Sequence, residues 1–254
     1  MDNPINTDVF EYALRLGDDA LTLGHRLSEW TAKAPFLEED IALGNIALDY
    51  VGRARLLLTY AGEVEGEGRD EDQLAYLRDT RQYRNLLICE LPIGNFADTM
   101  ARQLLIDAFE VPYFHALSES TDATIAGIAG KAVKEAKYHL RHSAGWVVRL
   151  GDGTNESRAK ITQAFNDVWG YAAEMFVTDP LEARLVDAGI AIEREPLQAL
   201  WQGEVESVLS KATLELPQAS WQVDGGRRGE HTEHLGHLLA QLQFMQRAYP
   251  GLQW

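Results

Sequence analysis

An all-α helical bundle is the fold class that this 254-residue sequence predicts. Apolar residues recur at helical spacing through most of the chain, and no stretch alternates apolar and polar residues as a half-buried strand would. Turn residues cluster at short intervals, and several of the segments between them exceed about twenty residues, as in bundles with short connections. With 46% hydrophobic residues the chain can bury a sizeable core. Its length suits one large domain or two small ones, and a single helical domain over 1–254 is expected.

Each element has its own justification. Thr7 or Asp8 can cap a first helix running to about 33, in which Tyr12, Leu16, Leu23, Leu27 and Trp30 share one face. Pro35 interrupts, and a second helix follows over about 37–60. The stretch GEVEGEGRDED (62–72) is Gly-rich and acidic, and reads as a solvated loop. A third helix is expected over 71–90, stopping before Pro92, and a fourth over 95–117. Thr121 or Asp122 caps a fifth that continues to about 150 and ends at GDGTNES. A sixth covers 156–177, a short one runs from TDP (178–180) to about 188, and another covers 196–213. After the loop WQVDGGRRGE (221–230), a last helix over 230–248 ends at Pro250-Gly251. There is no internal repeat.

Composition excludes several function classes. There are 23 Lys and Arg against 39 Asp and Glu, a net charge of −16. A nucleic acid or an anionic membrane surface would repel such a chain. A single cysteine, Cys89, cannot form an internal disulfide and suits a reducing cytoplasm. The first residues lack the basic and apolar regions of a signal peptide, and no apolar run is long enough to span a membrane. Low cysteine content and the lack of a Gly-rich dinucleotide turn speak against flavin or iron–sulfur chemistry in this chain.

EAKYH (135–139) holds the most informative acid. An inward Glu-x-x-His, with histidine at i+3, is half of the di-iron site of ferritin-like bundles. Here Tyr138 occupies that place, and His139 comes one residue late. Asp49, Asp79, Asp107 and Glu135 each share a largely apolar stripe with their neighbours. They fall 30, 28 and 28 residues apart, one helix plus one turn each time. Such spacing can bring four carboxylates to a common depth, where burial is costly unless each is paired, hydrogen-bonded or metal-bound. A di-iron site also needs two imidazoles. Gln82, three after Asp79, and Tyr138 stand where these would be. The expectation is therefore a polar cluster of Asp49, Asp79, Gln82, Asp107, Glu135, Tyr138 and His139, with no metal and no catalytic residue. Two alternatives stand beside it: a metal-binding carboxylate oxygenase or oxidase using the same acids, and accidental spacing in an acidic chain. Arg53, Arg78, Arg81 and Lys131 are candidate partners for the acids.

Three other features carry less chemistry. In EHTEHLGH (230–237), His231, His234 and His237 lie three apart, so adjacent pairs could share a metal while all three diverge around a helix, and the segment reads rather as a packed helix N-terminus. DGGRRG (224–229) is the most basic short loop and can either meet a phosphate or stand as a solvated turn. Trp146, Trp169, Trp201, Trp221 and Trp254 suit a core or a partner surface.

The stretches EYALRLGDDALTLGHRLSEW (11–30), IALGNIALDYVGRARLLLTYA (41–61), GNFADTMARQLLIDAF (94–109), KEAKYHLRHSAGWVVRLGDGT (134–154) and HTEHLGHLLAQLQFMQRAYPGLQW (231–254) carry a resemblance over nearly the whole chain. They are similar to the structural C subunits of bacterial phenylacetyl-CoA epoxidases (ring 1,2-monooxygenases). The resemblance implies a ferritin-like bundle with extra C-terminal helices, related to the catalytic A subunit but short of iron ligands. It implies a cytoplasmic, non-catalytic role with no cofactor in this chain, serving phenylacetate degradation. The implied partners are the di-iron A subunit and the other subunits of the complex; a free-standing homodimer with an unrelated binding role is a separate alternative.

Overall fold

The computed structural model describes residues 4–218 and 221–252. Trp254 lies outside them. Among the described residues every regular element is helical. The α-helices are α1 (Pro4–Ser28), α2 (Leu37–Glu65), α3 (Glu71–Tyr76), α4 (Leu87–Glu90), α5 (Phe96–Leu117) and α6 (Ala123–Gly151), then α7 (Asn155–Val168), α8 (Pro180–Asp187), α9 (Leu197–Lys211), α10 (Glu233–Leu242) and α11 (Phe244–Ala248). Short 3-10 turns occur at Thr80–Gln82, Trp169–Phe176 and Gly226–Arg228. No described helix is long and apolar enough to cross a membrane.

The chain divides into two compact units. One is made from residues 1–92 and 224–254, the other from 93–223. In the first, α1 and α2 run antiparallel. Gly17 lies against Leu58, and Gly24 against Ala47 and Val51, so the missing side chains let the two backbones close up. Their shared core holds Tyr12, Leu23, Leu27, Leu43, Tyr50 and Leu57, all fully buried. The helix α1 stops at Ser28, short of the expected 33. Ala32 takes a left-handed φ of 62°, and its N–H donates to Asp40 Oδ1 (2.7 Å). The helix α2 runs five residues past the expected 60. Gly62 is accommodated because its bare Cα faces the Arg69 carbonyl, and the stop comes at Gly66, whose φ of 73° few other residues adopt.

The uninterrupted helix expected over 71–90 does not form. It breaks after Tyr76 and resumes only at Leu87. The cause is tertiary. Asp18 Oδ2 on α1 accepts the Arg84 N–H (2.8 Å), and Asp19 Oδ1 accepts the Leu86 N–H (2.7 Å). Backbone donors that a helix would satisfy internally are taken by carboxylates instead. The expected last helix also divides, with Thr232 capping α10 and a break at Gln243, whose Nε2 donates to the Ala75 and Arg78 carbonyls (3.1 and 2.9 Å).

In the second unit α5 is central, with almost every residue from Ala97 to Glu110 buried. Asn95 and Asp122 cap α5 and α6 through their side chains, as their positions in the sequence suggest. These two helices run antiparallel. Phe96 meets Trp146 edge-on at 5.0 Å, and further along Asp107 meets Ser143. Trp201 on α9 is buried against α5 and donates from Nε1 to the Leu105 carbonyl (2.8 Å). The expected sixth helix ends early, at Val168, because Gly170 is covered by the Trp221 ring and its carbonyl accepts the Val223 N–H (3.2 Å).

Candidate functional site

The acids chosen from the sequence meet different fates. In the second unit, Asp107 and His139 come together, joined by Glu110, which the expected cluster does not include. Ligand-type atoms of all three lie within 4.8 Å of one another, and all three residues are buried. Asp107 and Glu110 share a face of α5 because they are three apart, a spacing visible in IDAFE (106–110). The Ser143 hydroxyl, one turn beyond His139 on α6, donates to Asp107 Oδ2 (2.6 Å). His139, at i+4 from Glu135, is thus the inward residue of that turn. Tyr138 points outward, and the Arg141 guanidinium lies 5.4 Å from the centre of its ring. Glu135 is half-buried and pairs with Lys131 Nζ (3.3 Å).

In the first unit, Asp79 and Gln82 are exposed. They bracket the 3-10 turn at Thr80–Gln82, where the Asp79 N–H donates to Gln82 Oε1 (2.7 Å), and Asp79 pairs with Arg247 (2.9 Å). Neither joins a buried cluster, since the helix expected to carry them inward is broken there. Asp49 is half-buried on α2, and Arg53, four residues on, is buried with its guanidinium 4.8 Å from the Tyr50 ring.

Fully buried charge in the first unit gathers elsewhere. Arg78 donates from Nη1 to Asp18 Oδ2 (2.9 Å), with both side chains shut away from solvent. Burial works to lower the Arg78 pKa, but the Asp18 charge and hydrogen bonds outweigh it and leave it raised. Burial acts the other way on the neighbouring Tyr83 hydroxyl and pushes its pKa upward.

Glu90 is the second centre. Its Oε1 accepts the Thr232 N–H (2.6 Å) and hydroxyl (2.7 Å). Its Oε2 accepts Asn85 Nδ2 (2.9 Å) and faces His231 Nδ1 (2.8 Å). The other ring nitrogen, Nε2, faces the Tyr83 carbonyl (3.0 Å). Two acceptors on one imidazole call for two N–H donors, the protonated form. His231 is accordingly raised in pKa: burial opposes the charge, but the Glu90 hydrogen bond, the Tyr83 carbonyl and the Glu90 charge prevail.

The three C-terminal histidines do not converge. His231 is buried against Glu90, His234 offers its carbonyl to Arg26 Nη2 (2.9 Å), and His237 is exposed. The basic loop is not a free phosphate cradle either. Arg227 turns inward, donating to Asp19 Oδ2 (2.7 Å) and to the Arg84 carbonyl (2.6 Å). Arg228 is held by Asp224 (2.9 Å) and Glu230 (3.0 Å).

A dinuclear iron centre needs a carboxylate from each of two helices and a Glu-x-x-His from each of two more. Among the described residues, helices α5 and α6 supply two carboxylates and one imidazole to a common point, and Tyr138, at i+3 from Glu135, faces outward. That donor set does not fit the pair of ions.

Against this background, the whole chain, residues 1–254, matches the family described as phenylacetic acid catabolic protein. The chain belongs to this family. It is 52% identical over 243 residues to the C subunit of the 1,2-phenylacetyl-CoA epoxidase of Escherichia coli (strain K12), covering 96% of this chain and 98% of that one. The all-α, ferritin-like bundle class expected from the sequence accords with membership of the phenylacetic acid catabolic family.

Proposed function

We propose that this chain is the non-catalytic structural subunit of a cytoplasmic phenylacetyl-CoA epoxidase. It pairs with the di-iron catalytic A subunit, stabilises it, and helps place the other subunits; it carries no cofactor of its own. The observation that carries this reading is the donor set: α5 and α6 bring two carboxylates and one imidazole together while Tyr138, at i+3 from Glu135, faces outward, beside 52% identity to a relative named as the C subunit of such an epoxidase. On this reading Asp107, Glu110 and His139 are a polar remnant held by protein partners, with Ser143 among them.

Co-expression with the catalytic subunit tests it. Turnover of phenylacetyl-CoA is compared with and without this chain, and with Asp107→Asn or Glu135→Ala in place of the wild type. The complex should need the chain to be active and stable, and should keep its turnover with either variant. A fall of about 10²-fold or more with the complex still assembled is the size expected for removing a catalytic acid or base, and would sink the reading.

One observation favours a second reading, a carboxylate-bundle oxygenase with its own metal: Asp107, Glu110 and His139 converge within 4.8 Å. Near-stoichiometric iron with a di-iron optical band, in protein grown with added iron, would establish that reading in place of the first.

A further inference from the structure

The segment that carries α10 is fastened to the rest of its unit at successive points. Arg227 comes first, paired with Asp19 Oδ2 (2.7 Å) and donating to the Arg15 and Arg84 carbonyls (3.1 and 2.6 Å). His231 and Thr232 come next, gathered on Glu90. Gln243 follows α10 and donates to the Ala75 and Arg78 carbonyls (3.1 and 2.9 Å). Arginine and glutamine keep their donors at any ordinary pH, so the outer fastenings are indifferent to it. The middle one is not. Between Arg227 and His231 stands Gly229, whose φ of 76° makes a joint in the backbone that few other residues adopt.

Glu90 is fully buried. Its carboxylate collects the Thr232 N–H (2.6 Å) and hydroxyl (2.7 Å), the Asn85 amide (2.9 Å) and His231 Nδ1 (2.8 Å). Of these groups only the imidazole can carry charge. The other charges around the pair are already matched. Arg26 donates to the Glu90 and His234 carbonyls (2.9 Å each) and pairs with Glu29 (2.6 Å). Asp18 pairs with Arg78, Asp19 with Arg227, and Glu230 with Arg228. Glu233 and His237 are exposed. Tyr83 offers its carbonyl to His231 Nε2 (3.0 Å), and its phenol, pushed upward by burial, stays neutral. Loss of the imidazole proton therefore leaves Glu90 as a buried carboxylate with no counter-charge in contact, and leaves one N–H to serve two acceptors.

We propose that His231 and Glu90 form a proton-operated latch on the entry to α10, closed while the imidazole is charged and opened when it is neutral, with the chain turning at Gly229 about the Arg227 anchor. The side chains that the latch keeps seated are Leu235, Leu238 and Leu239 of α10, all buried. The His231 pKa is raised above 6.5, so the latch is closed at and below that pH and opens as pH rises through the raised value. The device belongs to this chain alone and does not depend on the function proposed above.

Amide hydrogen exchange of the full chain tests it, from about pH 6 to about pH 9, with labelling times scaled to the chemical exchange rate at each pH. Peptides covering 229–239 report on the latch, and α2, in the same unit, is the reference. In the wild type, protection over 229–239 should fall by about tenfold or more across the series, the size set by one hydrogen bond to a charged group, while α2 holds its protection. His231→Gln should show the low protection at every pH. His237→Gln, altered at an exposed imidazole, should keep the wild-type response. Level protection over 229–239 in the wild type overturns the latch. An equal fall in α2 also overturns it, because the unit then opens as a whole. A pH response that survives in His231→Gln, or disappears in His237→Gln, assigns the proton to another group and overturns it as well. If His231→Gln does not fold, the wild-type series and His237→Gln decide the matter by the same outcomes.

Discussion

His231 Nδ1 lies 2.8 Å from Glu90 Oε2, across 141 residues of chain, and both side chains are closed to solvent. The pair ties α4 to the segment leading into α10, within the unit built from both chain-end segments. Its ionisation carries the first prediction.

The folded-state pKa of His231 is raised above its ordinary value of 6.5. The stabilisation from the charged imidazole is therefore fully present below about pH 6.5 and is lost as pH rises through the raised folded value. Thermal unfolding across that window should show Tm falling with rising pH in the wild type, and a flatter profile in His231→Gln. The variant should lose about 1–3 kcal/mol at low pH, the range for a hydrogen bond to a charged group. Parallel profiles for the two proteins would show that the His231 pKa is the same in the folded and unfolded states.

The Asp18–Arg78 pair should be expensive to break. Asp18→Ala leaves a buried guanidinium short of its counter-charge and the Arg84 amide of the broken third helix less well satisfied. A loss of about 3–5 kcal/mol is expected by denaturant unfolding. Asp79→Ala removes an ion pair whose carboxylate is 77% exposed and should cost under about 1 kcal/mol. Equal losses would remove the distinction between buried and surface charge.

Metal should leave the free chain's stability unchanged. A ligand that binds the folded form and is present at a hundred times its Kd raises stability by about 2.7 kcal/mol. Added Fe(II), Mn(II) or Zn(II) should produce no such rise in unfolding free energy. If one does, and Asp107→Asn abolishes it, the cluster of Asp107, Glu110 and His139 is a metal site.

Two glycine substitutions should have opposite signs. An alanine Cβ at Gly62 would lie 2.1 Å from the Arg69 carbonyl oxygen, so Gly62→Ala should destabilise by about 1–3 kcal/mol. At Gly127 on α6 nothing lies within 4 Å, and Gly127→Ala should stabilise by about 0.5–1 kcal/mol. Chemical denaturation of both variants measures the difference directly.

Much of the architecture is legible in the sequence because local signals and tertiary packing agree. Asn95, Asp122 and Asp179 cap the helices their positions suggest, and α5 and α6 end within a residue or two of expectation. The third helix is not legible, because YLRDTRQYRNLL has a serviceable helical pattern while the competing interaction comes from Asp18 and Asp19, some sixty-five residues earlier. Of the buried cluster, Asp107 and His139 can be found from position on a helix face, and Glu110 is available from its i+3 spacing. Glu90 with His231 cannot, because no periodicity links two residues that meet only through the closing of a long loop. Arg227 reads as a solvent-facing cation because a loop's composition does not reveal a carboxylate waiting beneath it.

Unit one draws its material from residues 1–92 and from 224–254, with residues 93–223 made in between. During synthesis, α1 and α2 leave the ribosome long before His231 and Arg227 exist to meet Glu90 and Asp19. At typical translation speeds the wait is roughly ten seconds. For that time Glu90 and Asp19 lack their late-arriving partners and must be served by water or a chaperone, while the contiguous second unit can already be taking shape.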